Sequence, residues 1–175
     1  MVEEHRWLRM VVYKLDSALK LVGIGNGSVS NRFALVGFAR DTDRDRGGTV
    51  IRDLTAPANF VSGVMDLKLD GVFEDGYSGI LTALNGVSFR KNTTKHIVLI
   101  TDEDRDVLKF FLKKSTIINK LREGNFTLSV VVQQSFQAIH GGVNDDRTVL
   151  GVDSTMQAYA FDPDSLLDSP FWTKQ

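Results

Sequence analysis

The chain has 175 residues, no cysteine, and 21 Lys plus Arg against 22 Asp plus Glu, a formal net charge of −1. This length supports about one domain, and 42% hydrophobic residues with 11 Phe supply a core, so whole-chain disorder is excluded. The charge balance lacks the footprint of non-specific nucleic-acid binding or of a polybasic membrane surface, and the missing cysteines exclude disulfide scaffolds, zinc knuckles and thiol catalysis.

In chain order, Leu8, Val11, Val12, Leu15, Leu19 and Val22 recur at three- and four-residue spacing, which predicts an amphipathic helix from Glu3 to Val22, stopped by Gly23 and Gly25. The run Arg32–Ala39 (RFALVGFA) is nearly continuous in apolar residues and predicts a parallel, internal strand. DTDRDRGGT follows as a charged turn, and Thr49–Leu54 predicts a short edge strand. Pro57 opens a helix over Asn59–Leu69. The acidic loop DGVFEDGYSG leads to a further helix, Ser78–Val87, with Ser78 as its cap. His96–Thr101 (HIVLIT) is the clearest buried strand, and it ends in the acidic cluster Asp102, Glu103, Asp104 and Asp106. A helix over Val107–Leu121, strands at Leu128–Gln133, Val149–Val152 and Gln157–Phe161, and a short helix from Pro163 complete the order. Such alternation with β-branched strands predicts an α/β fold, a mostly parallel sheet between helices. No apolar run approaches the ~18 residues of a membrane span. The opening MVEEHRWLRM carries acids where a signal peptide has its basic region.

The runs NRFALVGFA, EDGYSGILTALN and KHIVLITDEDRD, in that order and spacing, resemble a von Willebrand factor type A (VWA) domain, over Val2 to Asp162. The resemblance implies a domain at 1–162 with 163–175 as a tail or short helix. Its fold would be three-layer α/β/α and Rossmann-like, a mostly parallel sheet with an antiparallel edge strand. In that family the first strand ends in Asp-x-Ser-x-Ser, usually followed by Met and the first long helix. Met1 matches that Met, so the first central strand and its metal motif are expected to be missing. Loss of such a strand would leave two neighbours without ladder partners and open a slot in the core.

The family's metal-ion-dependent adhesion site gathers oxygen ligands from three loops around Mg²⁺, Mn²⁺ or Ca²⁺. Carried over, Asp102 matches the third-loop aspartate. The second loop normally offers Thr; here Glu74-Asp75-Gly76-Tyr77-Ser78 offers either the Ser78 hydroxyl or the Asp75 carboxylate. Asn26-Gly27-Ser28-Val29-Ser30 has the first-loop spacing but follows a helix and precedes a strand, the wrong side of the sheet. With two or three oxygens left, metal binding is expected to be weak or absent. The implied function is a non-catalytic protein-binding or adhesion module of an extracellular protein. Its ligand would be collagen or another matrix protein, with no nucleic acid and no membrane span, and a strand-swapped homo-oligomer would fill the slot.

Two other classes compete. One is a metal-free structural or assembly scaffold. The other is a Mg²⁺-dependent phosphohydrolase using Asp102 as nucleophile and Asp104 as acid, with Asp145-Asp146 imitating a later metal-binding pair; that motif normally lies on a first strand near the amino terminus. Asp41, Asp43 and Asp45 imitate a calcium loop, but its sixth and twelfth positions are Arg46 and Arg52, so a solvated loop is the better reading. Gly23-x-Gly25-x-x-Ser28 lies after a helix, the reverse of a dinucleotide fingerprint. His5, His96 and His140 are scattered, and Trp7 and Trp172 read as packing residues. Asn26-Gly-Ser, Asn92-Thr-Thr and Asn125-Phe-Thr are N-glycosylation acceptor triplets that favour an extracellular origin.

Overall fold

In the computed structural model, which describes residues 2–40, 48–67, 73–101, 112–133 and 157–161, the amino-terminal periodicity becomes helix α1, Val2–Leu21. Trp7, Val11 and Val12 are buried on one stripe. The helix closes in a Schellman arrangement: Ile24 N–H donates to Leu19 O at 2.9 Å and Gly23 N–H to Lys20 O at 3.1 Å, with Gly23 at φ +85°. A residue without Cβ takes this left-handed turn at little cost, so the glycine is a helix stop and no part of a phosphate loop. Val22, expected on the inward stripe, is exposed because it already belongs to the cap.

Strand β1 (Phe33–Gly37) and the two-residue β2 (Ala39–Arg40) precede β3 (Thr49–Thr55), which pairs with β1 antiparallel, from Phe33↔Thr55 to Gly37↔Thr49. Among the described residues β3 is the only ladder partner of β1, so the expected internal parallel strand is corrected to one paired on a single side. The physical reason is general: continuous apolar sequence reports that both faces of a strand are covered, and says nothing of its two edges.

Helix α2 (Pro57–Val64) starts on Pro57, whose fixed φ suits a first turn, and ends five residues before the expected Leu69. Its last turn tightens, with Asp66 N–H on Gly63 O at 2.9 Å, and Met65 is left exposed. Strand β4 (Phe73–Glu74) pairs antiparallel with β2 and delivers the chain into helix α3, Gly76–Gly86. Asp75 caps α3, where Ser78 was expected; its carboxylate accepts the Tyr77 N–H at 3.1 Å, which starts the helix two residues earlier.

Strands β5 (Lys95–Thr101), β6 (Phe126–Gln133) and β7 (Gln157–Phe161) form a parallel sheet in the order β5-β6-β7, with helix α4 (Lys114–Glu123) between β5 and β6. Leu112 and Lys113 are not helical, so α4 starts later than the expected Val107; the first residues of that expected helix lie outside the described ones. Val149–Val152 and the helix from Pro163 also lie outside them.

The layers follow from strand alternation. On one face, Leu99 and Ile97 of β5 and Leu128 and Val130 of β6 pack against Tyr77 and Ile80 of α3 and Ile117 and Leu121 of α4. On the other, Val98, Ile100 and Val131 meet Trp7 and Val11 of α1. A further cluster joins Val12 of α1 to Leu35 of β1 and to Phe60 and Val64 of α2, and Phe33 meets Phe60 edge to face at 6.2 Å between ring centroids. Burying each such aliphatic or aromatic side chain contributes about 1.5–3 kcal/mol. The architecture is therefore α/β in three layers, α1 and α2 below the strands and α3 and α4 above.

The two sheets are held in one direction. Arg90 Nη2 donates to Ser30 O at 2.9 Å, tying the loop before β5 to the loop before β1. At the other end, α3 lies over both strands: a Cβ on Gly79 would stand 2.9 Å from Phe38, just beyond β1, while Tyr77 packs in the cluster of Leu99. Gly79 is thus required by close approach, and β1 and β5 run the same way. They do not pair with each other.

Candidate functional site

The strands' carboxyl ends meet under the first turn of α3. The β2–β4 pairing, Ala39↔Glu74, brings Asp75 to the end of β1, and α3 then carries Ser78 inward. Asp75 and Ser78 are each 5% exposed, and Thr101, the last residue of β5, is 1% exposed. Asp75 O accepts the N–H groups of Ser78 at 2.9 Å and Gly79 at 3.1 Å, and its side chain takes the Tyr77 N–H. One carboxylate and one hydroxyl are therefore buried in the first turn of α3, and a second hydroxyl is buried at the end of β5.

Of the three residues that sequence reading nominated, Asp75 and Ser78 are brought together. Asp102 follows Thr101 directly but lies outside the described residues, as do Asp104, Asp145, Asp146, His140, Trp172 and the Asp41, Asp43, Asp45 loop. Thr101 was missed; its signal was a hydroxyl residue closing an otherwise apolar strand. The donor set is oxygen alone, which suits a hard cation. Among the described residues no group of three or more His, Asp or Glu is placed to hold a metal ion. The Asp75 carboxylate is moreover engaged as a helix cap, so the residues described fit a partial cation site at most.

Electrostatics elsewhere are structural. Asp53 Oδ1 accepts from Ser88 N–H at 2.9 Å and Leu54 N–H at 2.7 Å, and these bonds, the Ser88 one first, hold its carboxyl below the usual range. For Asp16, burial pushes the carboxyl up, but hydrogen bonds from Lys20 at 2.7 Å and Asn31 at 3.0 Å, with the Lys20 charge, outweigh it and leave the net shift downward. His96 retains exposed surface, yet its Nε2 stands 3.0 Å from Ser129 Oγ and desolvation lowers its pKa. Trp7 is a core residue at 3% exposure, as expected. Asn26, Asn92 and Asn125 are all exposed in turns or loops, and Asn92 and Asn125 take positive φ, which asparagine tolerates. No helix among the described residues is long and apolar enough to cross a membrane.

No family model matches the sequence, and no curated protein matches it. Similar solved structures are those of proximal thread matrix protein 1 (PTMP1) from the mussel byssus. One is 13% identical and covers 91% of this chain and 38% of that one, with a TM-score of 0.56. A second crystal form gives 11% identity, 91% and 40% coverage and a TM-score of 0.57. The same protein with a zinc occupied MIDAS motif gives 15% identity, 81% and 33% coverage and a TM-score of 0.54. The chain thus spans well under half of these proteins. At such identities the likeness establishes the fold alone: an α/β, VWA-like arrangement, in agreement with the sequence resemblance.

Proposed function

We propose that the chain is a non-catalytic protein-binding module of an extracellular protein, with its ligand face at the carboxyl ends of the strands around Asp75, Ser78 and Asp102. The observation that carries this reading is the likeness over 91% of the chain to a byssus matrix protein, combined with the buried oxygen donors Asp75 and Ser78 in the first turn of α3 and Thr101 at the end of β5. In the adhesion chemistry of such a site a divalent cation leaves one coordination position open, and an acidic side chain of the partner fills it. Zinc in the MIDAS motif of the similar structure makes Zn²⁺ a cation to test beside Mg²⁺, Mn²⁺ and Ca²⁺. Collagen or another matrix protein is the proposed partner class, and exposed Asn26, Asn92 and Asn125 stand where glycans would be accepted.

The test is thermal unfolding with each cation and with EDTA. A cation that binds the folded state alone raises its stability. A rise in Tm that is abolished by Asp102→Ala supports the partial adhesion site. A flat response to every cation sinks the metal-dependent version and favours the metal-free assembly scaffold. That second reading is supported by the Asp75 carboxylate already serving as the cap of α3. Hydrolysis of a generic phosphoester, lost on Asp102→Asn, would overturn the non-catalytic reading altogether.

A further inference from the structure

Three acceptor triplets that are far apart in sequence meet at one end of the fold. Asn26 follows the turn that closes α1, Asn92 lies in the turn before β5, and Asn125 in the turn between α4 and β6. The ladder sets Lys95 opposite Phe126, so the last two turns are neighbours, and Lys95 Nζ donates to Gly124 O at 3.0 Å between them. Arg90 Nη2, donating to Ser30 O at 2.9 Å, joins the approach to Asn92 with the loop of Asn26. All three asparagines therefore stand at the amino ends of β1, β5 and β6. Asp75 and Ser78 stand at the other end, and the seven residues of β5 put about 20 Å between the two.

Positive φ accounts for asparagine at 92 and 125, since asparagine takes the left-handed turn more readily than most residues. It does not account for Thr94 and Thr127, two positions on and both exposed, which complete the triplets. Asn26 and Ser28 are exposed as well, and they sit within an apolar collar. Leu21 is 87% exposed, and Val22, Ile24 and Val29 lie open in the same loop. The collar is pinned in this form: Asn31 Nδ2 donates to Ile24 O at 3.2 Å and to Asp16 Oδ1 at 3.0 Å, and Asn26 Nδ2 donates to Lys20 O. Four apolar side chains held open to water in one short loop mark a surface that something covers.

We infer that the amino end of the fold is an N-glycan-bearing face, with sugars on Asn26, Asn92 and Asn125, and that the Asn26 sugar covers the collar of Leu21, Val22, Ile24 and Val29. The inference rests on the extracellular reading above and adds a division of the surface to it, sugar at one end and protein partner at the other. The donor is an oligosaccharide linked through a diphosphate to a lipid. Asparagine Nδ2 forms a bond to C1 of the first N-acetylglucosamine, the C1–O bond to the diphosphate breaks with its electron pair leaving on the diphosphate, and one amide proton passes to a base. The second amide hydrogen of Asn26 stays available to Lys20 O, so the sugar is held over the end of α1, where its C–H face meets the collar.

The test passes the whole chain, behind an added export leader, through cells that attach N-glycans, and makes the same chain in bacteria that do not. Glycopeptide mass spectrometry of the secreted protein should find Asn26, Asn92 and Asn125 all occupied. A dye that fluoresces on apolar surface should give about threefold less signal on the secreted protein than on the bacterial one. Ser28→Ala spoils the first triplet but keeps the Asn26 bond to Lys20 O; it should restore the signal, whereas Thr94→Ala should not. In the bacterial protein, Leu21→Ser together with Ile24→Ser should lower the signal as the sugar does. A secreted, folded chain with any of the three asparagines unoccupied would overturn the inference and leave the binding face at the strands' carboxyl ends untouched. So would a dye signal indifferent to the Asn26 sugar. A chain that folds in bacteria yet is retained and degraded on the export route would overturn the extracellular reading first, and the inference with it.

Discussion

The β1–β3 pair and the β5–β6–β7 sheet solve the same problem with different means. In the β5–β6–β7 sheet, parallel ladders run in unbroken register from Lys95↔Phe126 to Thr101↔Val132, and α4 covers the upper face. The β1–β3 pair has two strands and an irregular register between Phe33 and Val36, and a two-stranded unit is at best marginal in water by itself. What keeps it folded is lateral packing on α1 and α2 through Phe60, Val64 and Val12. One half is thus stabilised within its sheet, and the other mainly from outside it.

The largest effect should come from removing that outside support. Phe60→Ala should cost about 3–5 kcal/mol in a denaturant titration, with hydrogen exchange showing the loss first in β1 and β3. Leu128→Ala should cost about 2–5 kcal/mol and deprotect β5 and β6 first. If either substitution deprotects both sheets equally, the halves are one cooperative unit and the contrast between them fails. Leu8 packs on the clusters of both halves, so Leu8→Ala addresses the joint itself. It should cost about 1–2 kcal/mol, while uncoupling the two exchange patterns.

Smaller still is the cap. Asp75→Ala should lower stability by about 1 kcal/mol, whereas Asp75→Asn should be nearly neutral, because asparagine caps as well as aspartate. A cation-dependent Tm shift lost in the asparagine variant would show the charge at work beyond capping.

The weakest predicted effect separates the halves by pH. Asp16 on α1 and Asp53 on β3 have lowered pKa values. Their stabilisation is present above the unfolded value of about 3.9 and is lost as pH falls through the lower folded value. His96 on β5 also has a lowered pKa, so the unfolded chain binds the proton more readily. That destabilises the parallel sheet as pH falls below about 6.5, and the loss stops growing below the folded pKa. Hydrogen exchange at pH 7 and at mildly acidic pH should therefore weaken β5 before β1, and His96→Gln should remove the difference.

Much of this fold was legible in the residues. Thr49–Thr55, Gln157–Phe161 and the α1 stripe lie close to where periodicity and apolar runs placed them, and the Gly23 stop is explained by its positive φ. The errors share one cause. Helix starts at Asp75 and Lys113 and the end of α2 at Val64 depend on which backbone groups find partners, which apolar spacing does not encode. Apolar runs alone do not report edges: RFALVGFA reads as an internal strand and HIVLIT as a buried one, yet each has a single ladder neighbour among the described residues. At the site, sequence reading nominated Asp75 and Ser78, which fold into one turn, but could not distinguish a capping carboxylate from a ligating one, and it passed over Thr101.

The place of Leu8 between two cores also has a mechanical meaning. Tension drawn across β1 and β5 meets no ladder of hydrogen bonds to shear; it is carried by side-chain contacts to α1 and α3. Such a joint yields gradually and re-forms without register errors, since no strand pairing must be recovered. Pulled from residues in β1 and β5, the chain should part there at lower force than across β5 and β6.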